Sequence, residues 1–116
     1  MLRPFIPAQD FALSRRFYEA LGFSALYADD SIVIFEQPGA SFILQNYYEK
    51  AFAENCMVQW QVPDLESWWA SRAIGALADM FPIKPPCAPQ PQPWGMTVGY
   101  IWDPSGVLWH ITQAET

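Results

Sequence analysis

Residues 10–23 read DFALSRRFYEALGF, and residues 60–69 read WQVPDLESWW. In the first stretch Asp10 suits a helix N-cap, because its short carboxylate can accept the free backbone N–H groups of the first turn. Leu13, Phe17 and Leu21 recur at helical spacing with Ser14 and Tyr18 beside them, giving one apolar face over residues 11–21. Gly22 then supplies the freedom at positive φ that ends a helix. In the second stretch an alternating strand, CMVQWQV at 56–62, runs into Asp64, which caps a helix predicted to continue to about Ala78.

Outward from these two anchors the same order appears twice. Residues 2–7 read as a strand before the first helix. Residues 23–28, 31–36 and 41–47 read as strands after it, with Asp29-Asp30 and Pro38-Gly39 as turns. Residues 48–55 form an irregular or helical linker. In the second half, strands follow at 98–102 and 107–113 around the turn Asp103-Pro104-Ser105-Gly106. Between them, residues 82–93 hold six prolines in twelve positions. Pro89, Pro91 and Pro93 share one strand parity, so their missing N–H groups fall on one edge; the segment is either an outer edge strand or a polyproline-like loop. The repeated unit is β-α-β-β-β, within one domain of 116 residues whose modules span about 1–54 and 55–116.

Composition narrows the function. Hydrophobic residues make up 52% and charged residues 16%, which suits a packed core rather than disorder. The net charge of −6 opposes nucleic-acid binding and anionic membrane surfaces, while allowing cationic or neutral small ligands. No apolar run has the length of a membrane span, and MLRPFIPAQD has no apolar signal core, so a cytoplasmic protein is expected. Cys56 and Cys87 follow no metal or redox spacing; Cys56 reads as a small core residue and Cys87 as an incidental thiol.

Residues 10–23, 60–69 and 93–113 (PWGMTVGYIWDPSGVLWHITQ) resemble the vicinal oxygen chelate superfamily of glyoxalase, bleomycin-resistance and extradiol-dioxygenase proteins. The resemblance implies an α+β fold, with paired βαβββ modules forming a U-shaped mixed sheet around a cavity, and a homodimer. Metalloenzymes of this superfamily hold a divalent ion with His, Gln or Glu side chains. The corresponding positions here fall on Arg3, Met57, His110 and either Leu44 or Gln45. Arg donates and never accepts, and Met is too soft for an oxygen-rich site, so this set predicts no metal and no other cofactor.

Strand parity puts Arg3 with Phe5, Met57 with Gln59 and Gln61, and Leu108 with His110 and Thr112 on the cavity side. Trp60 and Trp109 then belong to the core. Tyr100 and Trp102 share a face as pocket walls, and Trp94 after the proline run suits a lid. Of Trp68 and Trp69, about 100° apart on one helix, only one can point fully inward. The expected ligand-binding set is Arg3, Phe5, Gln45, Met57, Gln59, Trp94, Tyr100, Trp102 and His110. The reading is a metal-independent protein of the bleomycin-resistance type that sequesters an aromatic, cationic small molecule. A glyoxalase-like lyase or isomerase, or a dioxygenase-related enzyme working through His110 and Arg3, is the alternative. A structural or regulatory module that uses its aromatics to dimerise is a third reading.

Overall fold

The computed structural model describes residues 1–114 of the chain. Its elements run β1 (Phe5–Pro7), α1 (Phe11–Ala20), β2 (Ser24–Ala28), β3 (Ile32–Gln37), β4 (Ala40–Gln45), α2 (Lys50–Asn55), β5 (Met57–Gln61), α3 (Leu65–Ser71), α4 (Ile74–Met80), β6 (Cys87–Pro91), β7 (Met96–Trp102) and β8 (Leu108–Ala114). The strands form two four-stranded sheets of identical topology, β1-β4-β3-β2 and β5-β8-β7-β6. In each sheet the module's first strand pairs parallel to its last, and the other pairs are antiparallel. The α+β βαβββ repeat is thus present as two separately hydrogen-bonded halves.

Helix capping follows the local sequence. Asp10 accepts from Leu13 N at 3.1 Å, and Asp64 accepts from Ser67 N at 3.2 Å and from the Ser67 hydroxyl at 2.9 Å. Gly22 sits at φ +108°, a left-handed conformation that costs an L-residue strain. The linker at 48–55 proves helical, with Glu49 capping Phe52 N at 2.8 Å.

The predicted single helix from Asp64 to about Ala78 is corrected to two. The chain breaks at Ala73, the only non-glycine residue among those described with positive φ (48°). Continuing α3 on the helical period from Leu65 and Trp68 would bring Arg72 and Gly75 to the core. The break instead buries Ile74 and Leu77, and apolar burial of two such side chains outweighs about 1–2 kcal/mol of left-handed strain.

Within the proline-rich segment, Cys87–Pro91 form an edge strand, while residues 82–86 do not. Gln90 and Pro91 stand opposite Val98 and Thr97, and Gln92 N donates to Met96 O at 2.8 Å, so the prolines face the unpaired side. One aromatic core joins the modules. Phe17, Tyr18, Phe23, Phe35 and Phe42 of the first half are buried with Trp60 and Trp109 of the second. Phe42 and Trp109 lie 5.4 Å apart between ring centroids, and Phe23 and Trp60 5.6 Å. Trp60 and Trp109 are core residues, as strand parity required.

Candidate functional site

Pairing in sheet two sets the site. Gln59 stands opposite His110 and His110 opposite Tyr100, so these three form one cross-strand row. Met57, Leu108 and Trp102 form the next row on the same face. Their strand neighbours Trp60, Trp109, Ile101 and Ile111 are buried on the opposite face. Five of the expected binding residues are therefore brought together: Met57, Gln59, Tyr100, Trp102 and His110. Met57 and Gln59 are exposed, and Tyr100, Trp102 and His110 are half-buried.

Their aromatic geometry is that of a wall. The His110 ring meets Tyr100 edge to face at 4.9 Å, and Tyr100 lies 6.5 Å from Trp102 at an interplanar angle of 31°. Lys84 Nζ stands 5.7 Å from the Trp102 ring centroid, so this ring already presents its face to a cation. His110 Nε2 is shielded and has no hydrogen-bond partner among the described residues. Burial holds the His110 pKa below the ordinary imidazole value, so the ring is neutral at pH 7. The neutral ring leaves one nitrogen to donate and one to accept.

The other expected residues lie elsewhere. Phe5 pairs with Ile43 on sheet one and is half-exposed. The register of β4 decides between the two candidates there: Leu44 is fully buried with Phe42, and Gln45 is half-exposed on the other face beside Ile32. Arg3 Nε donates to Ser41 Oγ at 2.7 Å, and among the described residues no carboxylate pairs with it. Trp94 lies in the turn between β6 and β7 and is 62% exposed. A cleft of about 350 Å³ between the halves is lined by Leu2, Pro4 and Ser41 from one side and Val58 and Gln59 from the other; of the expected binding residues it includes Gln59 alone. A larger hollow, about 680 Å³, was not anticipated from sequence. It lies over Leu26, Glu36 and Pro38, where β2 is exposed along its whole length, and alternation alone does not reveal such an edge.

The donor set does not fit a hard divalent ion. Leu44 has no ligating atom, Arg3 is a donor already engaged with Ser41, and Met57 offers only a thioether. Among the described residues no three His, Cys, Asp or Glu side chains gather.

No protein-family model matches the chain, and no curated protein matches it either. Solved structures do. A bleomycin-binding protein complexed with bleomycin is 22% identical, with 99% of this chain and 98% of that one covered at a TM-score of 0.78. A bleomycin resistance determinant encoded on the transposon Tn5 is 22% identical, with 100% and 98% covered at 0.79. The chain has the fold of these bleomycin-binding and bleomycin-resistance proteins. TnmS3, an antibiotic binding protein from Streptomyces sp. CB03234, shares the fold at 18% identity, with 99% of this chain and 96% of that one covered at a TM-score of 0.73.

Proposed function

We propose that this chain binds and sequesters an aromatic, cationic small molecule on the open face of sheet two, without a metal or cofactor and without bond chemistry. The observation that carries the reading is the aromatic wall of His110, Tyr100 and Trp102, with an unpartnered His110 Nε2 set into it. A flat ring stacks on such a wall. Gln59 in the same row adds an amide donor and acceptor. The net charge of −6 favours a positive ligand. Solved structures of this fold include proteins described as binding bleomycin and other antibiotics, which agrees with a sequestering role. Arg3, Phe5, Gln45 and Trp94 join the site when a second copy closes over it, and we place the pair in the cytoplasm. No helix among the described residues is long and apolar enough to cross a membrane.

Equilibrium titration with cationic aromatic compounds, each paired with a neutral isostere, tests the reading. Saturable binding that prefers the cations and survives a chelator is the expected result. Binding that needs added metal, or turnover of an α-ketoaldehyde adduct lost in His110→Ala, would move the lyase alternative to the front. Failure of the whole panel to bind folded protein would remove the aromatic-cation reading.

A further inference from the structure

Away from the sheet-two face, the junction of the modules holds an unusual concentration of hydrogen-bond donors. Arg72, at the end of α3, lies over the Trp68 ring with its guanidinium carbon 4.4 Å from the centroid, and 5.8 Å from that of Trp60. One of its Nη groups donates to Gln37 Oε1 at 2.7 Å. That bond uses the amide oxygen of Gln37 and leaves the amide nitrogen with nothing to donate to. Arg72 Nε and Trp68 Nε1 are also without acceptors. Gln37 and Trp68 are each only 7% exposed, so water does not freely satisfy them.

The donors are neighbours. A Cβ on Gly22 would lie 3.6 Å from Gln37 Nε2 and 3.8 Å from Arg72 Nε, so both nitrogens border a spot that the chain leaves without a side chain. Among the described residues Arg72 has no ion pair. Arg72, Trp68 and Trp60 line a pocket of about 380 Å³, with Pro38, Val62 and Pro63 as apolar walls. Two of the residues with unpartnered N–H groups, Arg72 and Trp68, line this pocket, which thus combines a guanidinium without a counter-charge and two indole rings; Gln37 holds Arg72 from outside the lining. Buried donors left unmade are costly, and a carboxylate supplies two acceptor oxygens in the fork geometry that a guanidinium matches.

We infer that this pocket is a second ligand site, distinct from the sheet-two face, which takes a carboxylate carried on a flat apolar body. Arg72 turns on its long stem toward the pocket and binds the carboxylate. The ring of the ligand packs against Trp60 and Trp68. The site has the opposite charge preference to the sheet-two face, so each tolerates failure of the other.

Side-chain ¹⁵N–¹H NMR of the uniformly labelled protein tests this, because the Arg Nε, Trp Nε1 and Gln amide protons are each observed directly. Benzoate is expected to shift the Arg72 Nε and Trp68 Nε1 signals saturably, while benzyl alcohol of the same shape leaves them in place. Acetate is expected to bind at least tenfold more weakly than benzoate, and Arg72→Gln to abolish the shifts. Equal response to benzoate and benzyl alcohol, or no response to benzoate at millimolar concentration, would overturn the inference in the wild-type protein alone, whatever the fate of the variant. A response to inorganic phosphate as strong as that to benzoate would overturn the ligand class.

Discussion

The Tyr18 hydroxyl donates to Asp103 Oδ2 at 2.6 Å, joining α1 of the first module to the β7–β8 turn of the second across 85 residues. Trp109 Nε1 in turn donates to the Tyr18 oxygen at 2.9 Å. The other carboxylate oxygen, Oδ1, accepts from Ser105 N at 2.8 Å and Val107 N at 2.9 Å. Ser105 Oγ accepts from Gln9 N at 2.9 Å and lies 3.3 Å from Ser14 Oγ. The turn therefore serves two purposes: it reverses the chain, and it fixes the angle at which the halves share their core. Burial, reinforced by the Asp103 carboxylate, pushes the Tyr18 hydroxyl well above its usual pKa, so it stays a donor.

Asp103 predicts a specific pH dependence. Burial pushes its carboxyl up to about 6, against the lowering effect of the hydrogen bonds from Tyr18, Val107 and Ser105. Between the unfolded value near ~4 and about 6 the folded state holds a proton that the unfolded state does not. Its contribution is therefore complete below ~4 and is lost as pH rises through about 6. The stability of wild type relative to Asp103→Asn is expected to fall by on the order of 1–3 kcal/mol between pH 4 and 7 and to level off above it. Urea denaturation of both proteins across that range measures the difference. A wild-type advantage that grows with pH would show that the carboxylate is ionised and stabilised in the fold.

Gly99 carries a packing prediction. A Cβ there would clash with Trp69 Cζ3, because the half-buried indole packs against the glycine in β7. Gly99→Ala is expected to cost about 1–3 kcal/mol through overpacking. In the background of Trp69→Ala the same substitution should cost less than half as much, and a thermal-denaturation double-mutant cycle reads the coupling.

The sheet-two face predicts a binding pH profile. Burial keeps His110 neutral down to below the ordinary imidazole range. Affinity for a cationic aromatic ligand should be flat above neutral pH and fall on acidification as His110 gains a proton and repels it. In His110→Gln the acid limb should vanish. Tyr100→Ala should weaken binding by about 1–2 kcal/mol, the worth of an aromatic contact, with thermal stability little changed because the ring lies on an open face. Isothermal titration at several pH values checks both.

Self-association is the remaining prediction. Met57 is 63% exposed and Phe5 52% exposed on faces that offer apolar surface to solvent, and such patches mark interfaces. Wild type is expected to sediment as a dimer at micromolar concentration, and Met57→Glu to shift it toward monomer while the fold survives. A wild-type monomer under those conditions would remove the second copy from the proposed site.

The parts legible in the sequence are those fixed by local physics. Asp10 and Asp64 cap helices because their carboxylates meet N–H groups three residues on, and strand alternation placed Trp60 and Trp109 in the core. It also grouped Met57 with Gln59 and Tyr100 with Trp102. The repeat and its α+β class follow from these short-range patterns. Tertiary structure decided everything that depends on what lies across a gap. Whether Leu44 or Gln45 faced outward needed the pairing of β4 with β1 and β3. Splitting the second helix at Ala73 depended on a core that rewarded Ile74 and Leu77 over Arg72 and Gly75. Strand parity put Gln59, His110 and Tyr100 each on the open side, but only the hydrogen-bond register set them in one row. Arg72 over Trp68, facing Gln37 from a hairpin 35 residues earlier, carried no local signal at all. Capping and alternation act over one turn or two residues, so one chain of letters displays them; register and long-range side-chain meetings are settled by the packing of the folded whole.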